Sequence, residues 1–170
     1  MSWEVWAMTL KTSLFNKGVY KATVKRFYWG SLVYFLALFV STSLAILLGV
    51  AQGDSEEDAI LLAQKIAKMR IFCDENDKMN LSVIDVDGGA VVVSQFTLLA
   101  NYKKGNRPDY LFAAPPEEAN RLYEFFIAKF EEALGKTVGR GVFGAHMEYE
   151  IINDGPVTIV MESDILKKRA

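Results

Sequence analysis

A run of nineteen residues without a charge, from Leu32 to Val50, constrains the fold of this chain more than any other feature. On hydropathy, such a run is long enough for a transmembrane helix or the core of a signal peptide. The basic residues between Lys11 and Arg26 would then keep the N-terminus inside and export everything after the run. The run is also rich in residues that form strands, so it equally predicts buried strands of a soluble sheet.

Length and charge narrow the class of protein. The 170 residues suffice for one domain with a buried core. The formal charge is -2, but five Lys/Arg and one acid precede Ala45, which leaves fourteen against twenty for the rest. An acidic body does not bind nucleic acid generally, so any RNA partner must be held locally. Cys73 and His146 are the only residues of their types, which argues against a disulfide or a zinc centre and favours the cytoplasm.

Hydrophobic periodicity predicts an α+β domain with a mainly antiparallel sheet, wrapped as a barrel-like sandwich, and two amphipathic helices. The first helix is expected near 54–70, with Asp54 and Glu57 at capping-box spacing, and the second near 116–134, before Gly135. Further expected strands are Leu81 to Val86 and Ala90 to Phe96, joined as a hairpin through Asp87-Gly88-Gly89, then Ala145 to Ile152 and Val157 to Met161.

The expected strand that enters Ser94-Gln95-Phe96-Thr97 ends in polar residues. Hydroxyls, an amide and free backbone N–H groups at a strand end can line a site. The loop from Asn153 to Thr158 is expected to cover it. His146 alternates with glutamates on the solvent face of its strand, so it is rejected as a catalytic base.

One basic cluster follows this strand in the loop from Asn101 to Asp109. Charge runs are most often solvated loops, and that interpretation stands here. The alternative is a clamp on phosphates, formed by Lys103, Lys104 and Arg107.

Seven blocks of sequence occur in an order that closely resembles the D-aminoacyl-tRNA deacylase family. They spread over roughly two-thirds of the chain, which makes the resemblance far more specific than any one block. The blocks are Leu48 to Asp54, Lys65 to Phe72, Lys78 to Asn80, Ser94 to Leu98, Lys104 to Pro108, Phe143 to Ala145 and Asn153 to Thr158.

The resemblance implies a homodimeric cytoplasmic hydrolase without a metal or cofactor. Its partner is the aminoacylated 3' end of tRNA, and it cleaves the ester of a D-amino acid, or of glycine mischarged on tRNA(Ala). The 2'-hydroxyl of the terminal adenosine is expected to assist the attacking water. Such an enzyme recycles tRNA and keeps D-amino acids out of translation.

The resemblance also implies roles for particular residues. Ser94, Gln95, Phe96 and Met147 are expected to bind substrate, with backbone N–H groups near Phe96 and Thr97 as oxyanion donors. Thr97 is a candidate nucleophile or water-positioner, and an ordinary strand-end hydroxyl is the equal alternative.

Gly155-Pro156, with a cis peptide, is expected to enter the partner subunit's pocket and exclude L-side chains, although Asn-Asp-Gly-Pro is also a plain turn signal. Arg26 is expected to support this Gly-Pro loop. Lys104 and Arg107 of the basic cluster are the candidate contacts to phosphates.

The N-terminus departs from the family pattern. Residues 1–44 are expected to be aberrant strands, an anchor or a mistranslated segment, residues 45–164 the deacylase-like domain, and residues 165–170 a basic tail. An anchor would export the enzyme away from aminoacyl-tRNA, so a soluble protein is favoured. Two other functions stay open: an impaired tRNA-binding or nucleotide-binding module of the same fold, and a membrane-tethered or exported acidic domain.

Overall fold

The computed structural model describes residues 4–10, 20–28, 31–39, 43–151, 153 and 156–167, with side chains from residue 43 onward. The strands are β1 (Glu4–Leu10), β2 (Tyr20–Tyr28), β3 (Ser31–Phe39), β4 (Ser43–Gly49), β5 (Phe72–Cys73), β6 (Met79–Leu81), β7 (Gly89–Ser94), β8 (Gly139–Arg140), β9 (Met147–Tyr149) and β10 (Val157–Glu162). The helices are α1 (Glu56–Ala67), α2 (Pro116–Leu134) and α3 (Ser163–Lys167), and a short 3₁₀ helix spans Phe96–Leu99.

A five-stranded sheet with the order β10-β1-β4-β7-β8 forms the centre of the molecule. Its first three strands pair antiparallel, whereas β4, β7 and β8 run parallel. A second sheet, β3-β2-β9, is antiparallel, and β5 pairs with β6. The expected combination of helices with mainly antiparallel strands is confirmed. The barrel-like closure is wrong, because the edge strands β10 and β8 do not pair with each other in the described chain.

Alternate residues of β4 and β7 serve two different cores, as the two-residue period of a strand requires. Ile46 and Val92 belong to the large core that the sheet forms with α1 and α2. Ala45 and Val93 point to the other face, where Met147 and its neighbours on and around β9 pack against them. The central strands are therefore covered on both sides.

This double coverage explains the apolar character of the second part of the run from Leu32 to Val50, which forms β4. The run forms β3 and β4 rather than a helix, and β4 is a central strand whose residues are nearly all buried. Strands buried on both faces are continuous hydrophobic runs rather than alternating ones. Among the described residues, no helix has the length and apolar character needed to cross a bilayer.

Both expected amphipathic helices form, and α2 has the bounds that its periodicity predicts. The cap of α1 differs by one residue: Ser55 is the N-cap, and its N–H donates to Asp58 Oδ2 at 2.9 Å. Asp54 instead accepts the Ala51 N–H at 2.7 Å. The helix begins later than expected because the carboxylate of Asp54 closes the preceding turn.

The expected hairpin at Asp87-Gly88-Gly89 is wrong. Val83 to Asp87 form consecutive turns, and β7 pairs parallel with β4 instead of antiparallel with the preceding segment. Asp85 Oδ2 accepts the Ser82 N–H at 2.8 Å and the Ser82 hydroxyl at 2.6 Å. These local hydrogen bonds hold the segment in turns, so it does not pair as a strand with β7. Ser and Asp side chains compete in this way with the hydrogen bonds between strands.

Candidate active site

A cleft opens where β4 and β7 end side by side. Leu48 pairs in register with Ser94, and the Gln95 N–H donates to the Leu48 carbonyl at 2.8 Å. Because the strands are parallel, the segments that leave them emerge at the same edge of the sheet. A crevice outside the carboxyl ends of parallel strands is a common position for a ligand.

The cleft has a volume of about 810 Å³, which is large enough for a small-molecule-sized group. Its walls come from three parts of the chain: the ends of β4 and β7, the segment that leads into α2, and the approach to β9. The lining residues are Leu47, Leu48, Val50, Gln52, Val93, Ser94, Gln95, Phe96, Tyr110, Leu111, Ala113, Ala114, Pro115, Pro116, Ala119, Phe143, Gly144, Ala145, His146, Met147 and Tyr149.

The 3₁₀ helix after β7 gives the cleft its polar character. Its first two N–H groups, on Phe96 and Thr97, donate to no acceptor within the described residues. Helix starts leave such donors free because the carbonyls that would accept them precede the helix. The Gln95 side-chain amide donates to the Thr97 hydroxyl, which ties the two side chains together.

The predicted substrate-binding residues Ser94, Gln95, Phe96 and Met147 all line the cleft. Thr97 is half-buried and is not among the residues that line the cleft. The structure thus brings four of the expected residues together around one space.

The other predicted residues lie elsewhere. Lys104 and Arg107 are exposed on the loop that leaves the 3₁₀ helix. Arg26 is described only by its backbone in β2, where it pairs in register with Met147. Gly155 lies outside the described residues, and Pro156 is exposed just before β10.

Several cleft residues were not expected from the sequence. Gln52, Tyr110 and Phe143 reach the cleft through contacts between distant segments. The sequence pointed to them only because Gln52 and Phe143 lie within blocks that resemble the family, and Tyr110 lies just after one. His146 is exposed as its alternation predicts, but it also lies at the cleft rim. Tyr149 buries a hydroxyl that has no hydrogen-bond partner in the described chain, and this burial raises the pKa of the phenol.

The cleft therefore combines apolar walls with backbone donors. The described residues contain no group of three or more His, Cys, Asp or Glu side chains that could hold a metal ion. Free N–H groups beside an apolar space suit an acyl substrate, because they stabilise the negative charge that develops on a carbonyl oxygen.

Comparison with known proteins gives consistent matches. A sequence model described as D-Tyr-tRNA(Tyr) deacylase matches residues 36–162. The D-aminoacyl-tRNA deacylase of Christiangramia forsetii is 56% identical over 120 residues, which cover 71% of this chain and 80% of that protein.

Two solved structures are also similar. One is a c-Myc DNA unwinding element binding protein, 30% identical, with a TM-score of 0.77 and coverage of 94% of this chain and 97% of that one. The other is described as a probable eukaryotic D-amino acid tRNA deacylase. It is 14% identical with a TM-score of 0.71, covers 95% of this chain and all of that one (100%), and supports the fold alone.

Proposed function

The chain belongs to the D-Tyr-tRNA(Tyr) deacylase family, and on that premise we propose that it hydrolyses the ester between a D-amino acid and the terminal adenosine of tRNA. The observation that carries the proposal is the cleft lined by Ser94 to Phe96, with the Phe96 N–H, and that of Thr97 next to it in the chain, left without an acceptor in the described residues. Glycine mischarged on tRNA(Ala) is a second substrate, since it lacks a side chain to exclude.

The proposed reaction needs a water molecule, an oxyanion site and a leaving group. Water adds to the ester carbonyl, and the N–H groups of Phe96 and Thr97 stabilise the oxyanion. The bond from the carbonyl carbon to the ribose oxygen then breaks, and the ribose oxygen takes up a proton that the water gives up. The products are the free D-amino acid and the uncharged tRNA, with the adenosine 2'-hydroxyl assisting the water.

We assign Thr97 to positioning rather than to nucleophilic attack. Its hydroxyl already accepts a bond from the Gln95 amide, which fixes both side chains beside the 3₁₀ helix. The hydroxyl keeps its own proton to donate. Because Gln95 lines the cleft and Thr97 does not, that arrangement supports orientation of a water molecule by Gln95, with Thr97 holding the Gln95 side chain in place.

The finer features of the site belong to the same proposal. The enzyme acts as a cytoplasmic homodimer in which Gly155-Pro156 enters the partner's cleft and excludes L-side chains. The exposure of Pro156 supports this, because a residue that enters a second subunit must be accessible in one chain. Residues 45–164 form the catalytic unit, Arg26 supports the Gly-Pro loop, and Lys104 and Arg107 contact phosphates.

The activity is tested with purified protein and tRNA charged with D-tyrosine or L-tyrosine. We expect the D-ester to be lost far faster than in buffer, and the L-ester to persist. Loss of the D-ester at only the uncatalysed rate would overturn the proposed function.

The oxyanion donors are tested by comparing Phe96→Pro with Phe96→Ala. Proline at the first helical position removes the N–H, which donates to no acceptor within the described residues, and Gln95 before it (φ −145°, ψ 83°) lies outside the helical region that a following proline disfavours. Both variants lose the phenyl ring, but only Phe96→Pro also loses the backbone N–H donor. We expect kcat of Phe96→Pro to be about 100-fold lower than that of Phe96→Ala, as for one oxyanion donor. Equal kcat values in two folded variants would exclude the Phe96 N–H as a donor.

A further inference from the structure

Three exposed apolar side chains gather at one rim of the cleft, and we name them the aromatic ledge: Phe96, Tyr110 and Leu111. Phe96 is 57% exposed and Leu111 is 74% exposed. The rings of Phe96 and Tyr110 meet edge to face, with centroids 4.9 Å apart and planes at 74°. A cluster of exposed apolar side chains is typical of a surface that binds a ligand or a macromolecular partner.

The backbone holds the ledge firmly in place. The Gln52 side chain donates to the Leu111 carbonyl at 2.7 Å, and the Gln52 N–H donates to the Phe112 carbonyl at 2.8 Å. The Ala114 N–H donates to the Val50 carbonyl at 2.9 Å. Since the segment is fixed to the end of β4, a partner that packs on it loses little affinity to ordering.

Phe96 and Tyr110 are connected by a loop that carries positive charge. Asn101 and Asp109 close its base with backbone bonds of 2.8 and 2.9 Å and a side-chain bond of 3.0 Å. Beyond this base Tyr102 is 79% exposed, and its neighbours Lys103, Lys104 and Arg107 are exposed as well. None of these three cations forms a salt bridge with the part of the chain that the structure describes.

We propose that the aromatic ledge stacks an unpaired base of the RNA strand that leads into the esterified terminal nucleotide, while the loop contacts its phosphates. Aromatic rings beside free cations match single-stranded nucleic acid, whose bases stack and whose backbone is negative. An apolar protein partner would use the ledge but would leave the cations without a role. The inference rests on the proposed function, because the ester in the cleft defines where the strand must enter.

Tyr110 gives the decisive test, with two substrates that differ only in the RNA. D-tyrosyl-tRNA carries the preceding nucleotides, and a D-tyrosyl ester of adenosine lacks them. Tyr110→Leu keeps an apolar side chain but removes the ring, Tyr110→Phe keeps the ring, and Ile165→Ala removes an exposed apolar side chain from α3 as a control.

We expect Tyr110→Leu to raise KM for D-tyrosyl-tRNA about 5- to 100-fold, as loss of one stacked base predicts. Because Tyr110 also lines the cleft, KM for the adenosine ester rises as well, but by a clearly smaller factor than KM for D-tyrosyl-tRNA. Tyr110→Phe has a KM for D-tyrosyl-tRNA much closer to the wild-type value than Tyr110→Leu has, and Ile165→Ala keeps the wild-type constants. An equal change on both substrates would show a structural role of Tyr110 and overturn the proposal. An unchanged KM for tRNA would overturn it too.

A second readout is independent of catalysis. In an uncharged tRNA with 2-aminopurine at the position before the terminal adenosine, we expect fluorescence quenching by the wild type and Tyr110→Phe, and much less by Tyr110→Leu. If the wild type cleaves neither ester, the proposed function fails, and the quenching still decides about the ledge. Equal fluorescence quenching by all variants would contradict stacking. A Tyr110→Leu variant that differs from the wild type only in oligomeric mass would contradict it as well.

Discussion

At the residue scale, one wall of the cleft depends on a missing side chain. A Cβ on Gly141 would lie 3.0 Å from Met147 Sδ and 3.4 Å from Val93 Cγ1. Gly141 cannot easily retreat, because its N–H donates to the Val92 carbonyl at 2.8 Å and its carbonyl accepts the buried Tyr123 hydroxyl at 3.2 Å. The position of Met147 at the cleft therefore requires glycine behind it.

Gly141→Ala is expected to push Met147 into the cleft rather than to unfold the protein, because a methionine side chain adapts easily. Overpacking of this kind lowers the free energy of unfolding by about 1 kcal/mol. If Met147 in the cleft also weakens substrate binding by about 1 kcal/mol, KM for D-tyrosyl-tRNA rises roughly 5-fold. Steady-state kinetics and thermal melting measure the two effects. In a Met147→Ala background the same change should add almost nothing, and an additive effect there would contradict the proposed contact.

At the scale of elements, two carboxylates lie at the start of α1 with opposite titration behaviour. Burial raises the pKa of Asp54 to about 7; the Ala51 N–H bond opposes this shift, and the charge of Asp58 adds to it. Burial acts in the same direction on Asp58, but the Lys167 ammonium and the hydrogen bonds from Ser55 outweigh it and lower the pKa of Asp58 to about 2. Lys167 lies 2.5 Å from Asp58 Oδ1, which ties α3 to α1.

Asp54→Asn is expected to remove a pH dependence of stability. Because the folded pKa of about 7 exceeds the ordinary 3.8, the fold binds the extra proton, and stability falls as pH rises from about 4 to about 7. The amide still accepts the Ala51 N–H but carries no charge. After allowance for solvent screening we expect Asp54→Asn to be about 1 kcal/mol more stable than the wild type at pH 8 and nearly equal at pH 4.

Urea unfolding at pH 4, 6 and 8 measures this difference. Asp74→Asn is the matched control, because hydrogen bonds from the Lys78 and Asn76 N–H groups lower the pKa of Asp74. Its contribution is present above the ordinary carboxyl pKa and is lost below it, so the control should lose stability at pH 8. Identical pH profiles of Asp54→Asn and the wild type would show that Asp54 has an ordinary pKa.

At the scale of the whole molecule, the N-terminal strands complete the sheets that hold the cleft. β1 lies between β4 and β10, and β2 pairs with β9, which carries Met147 into the cleft wall. The match to the family begins at residue 36, after both of these strands. β10, which follows Pro156, is the outer strand of the five-stranded sheet.

Pro156→Ala tests the proposed exclusion of L-amino acids at this scale. If the proline acts as a wedge in a second subunit, its removal should raise hydrolysis of L-tyrosyl-tRNA relative to D-tyrosyl-tRNA by at least about 10-fold, the lower range for a changed pocket contact. The ratio of kcat/KM values measures selectivity, and sedimentation confirms that the assembly is unchanged. A D-to-L ratio equal to that of the wild type would remove the wedge from the proposal.

Local chemistry determined much of this protein from sequence alone. The 3.6-residue period with Pro116 and Gly135 at its ends specified α2, because such signals act within a few residues. The two-residue period before Tyr149 specified the solvent face of His146. The placement of Ser94 to Phe96 at a strand end was predictable from similar short-range signals. The family was predictable from the order of the seven sequence blocks.

Only the tertiary structure decided which strands are neighbours. The residues of β7 specify a buried strand but not its partner, which is β4. The segment before β7 does not form the expected hairpin, because Ser82 and Asp85 bond to each other in a turn. The apolar run from Leu32 to Val50 was compatible with a membrane helix and with buried strands, since burial in a membrane and burial within a sheet select similar side chains. The cleft exists because distant segments meet at one sheet edge, and no local pattern encodes that meeting.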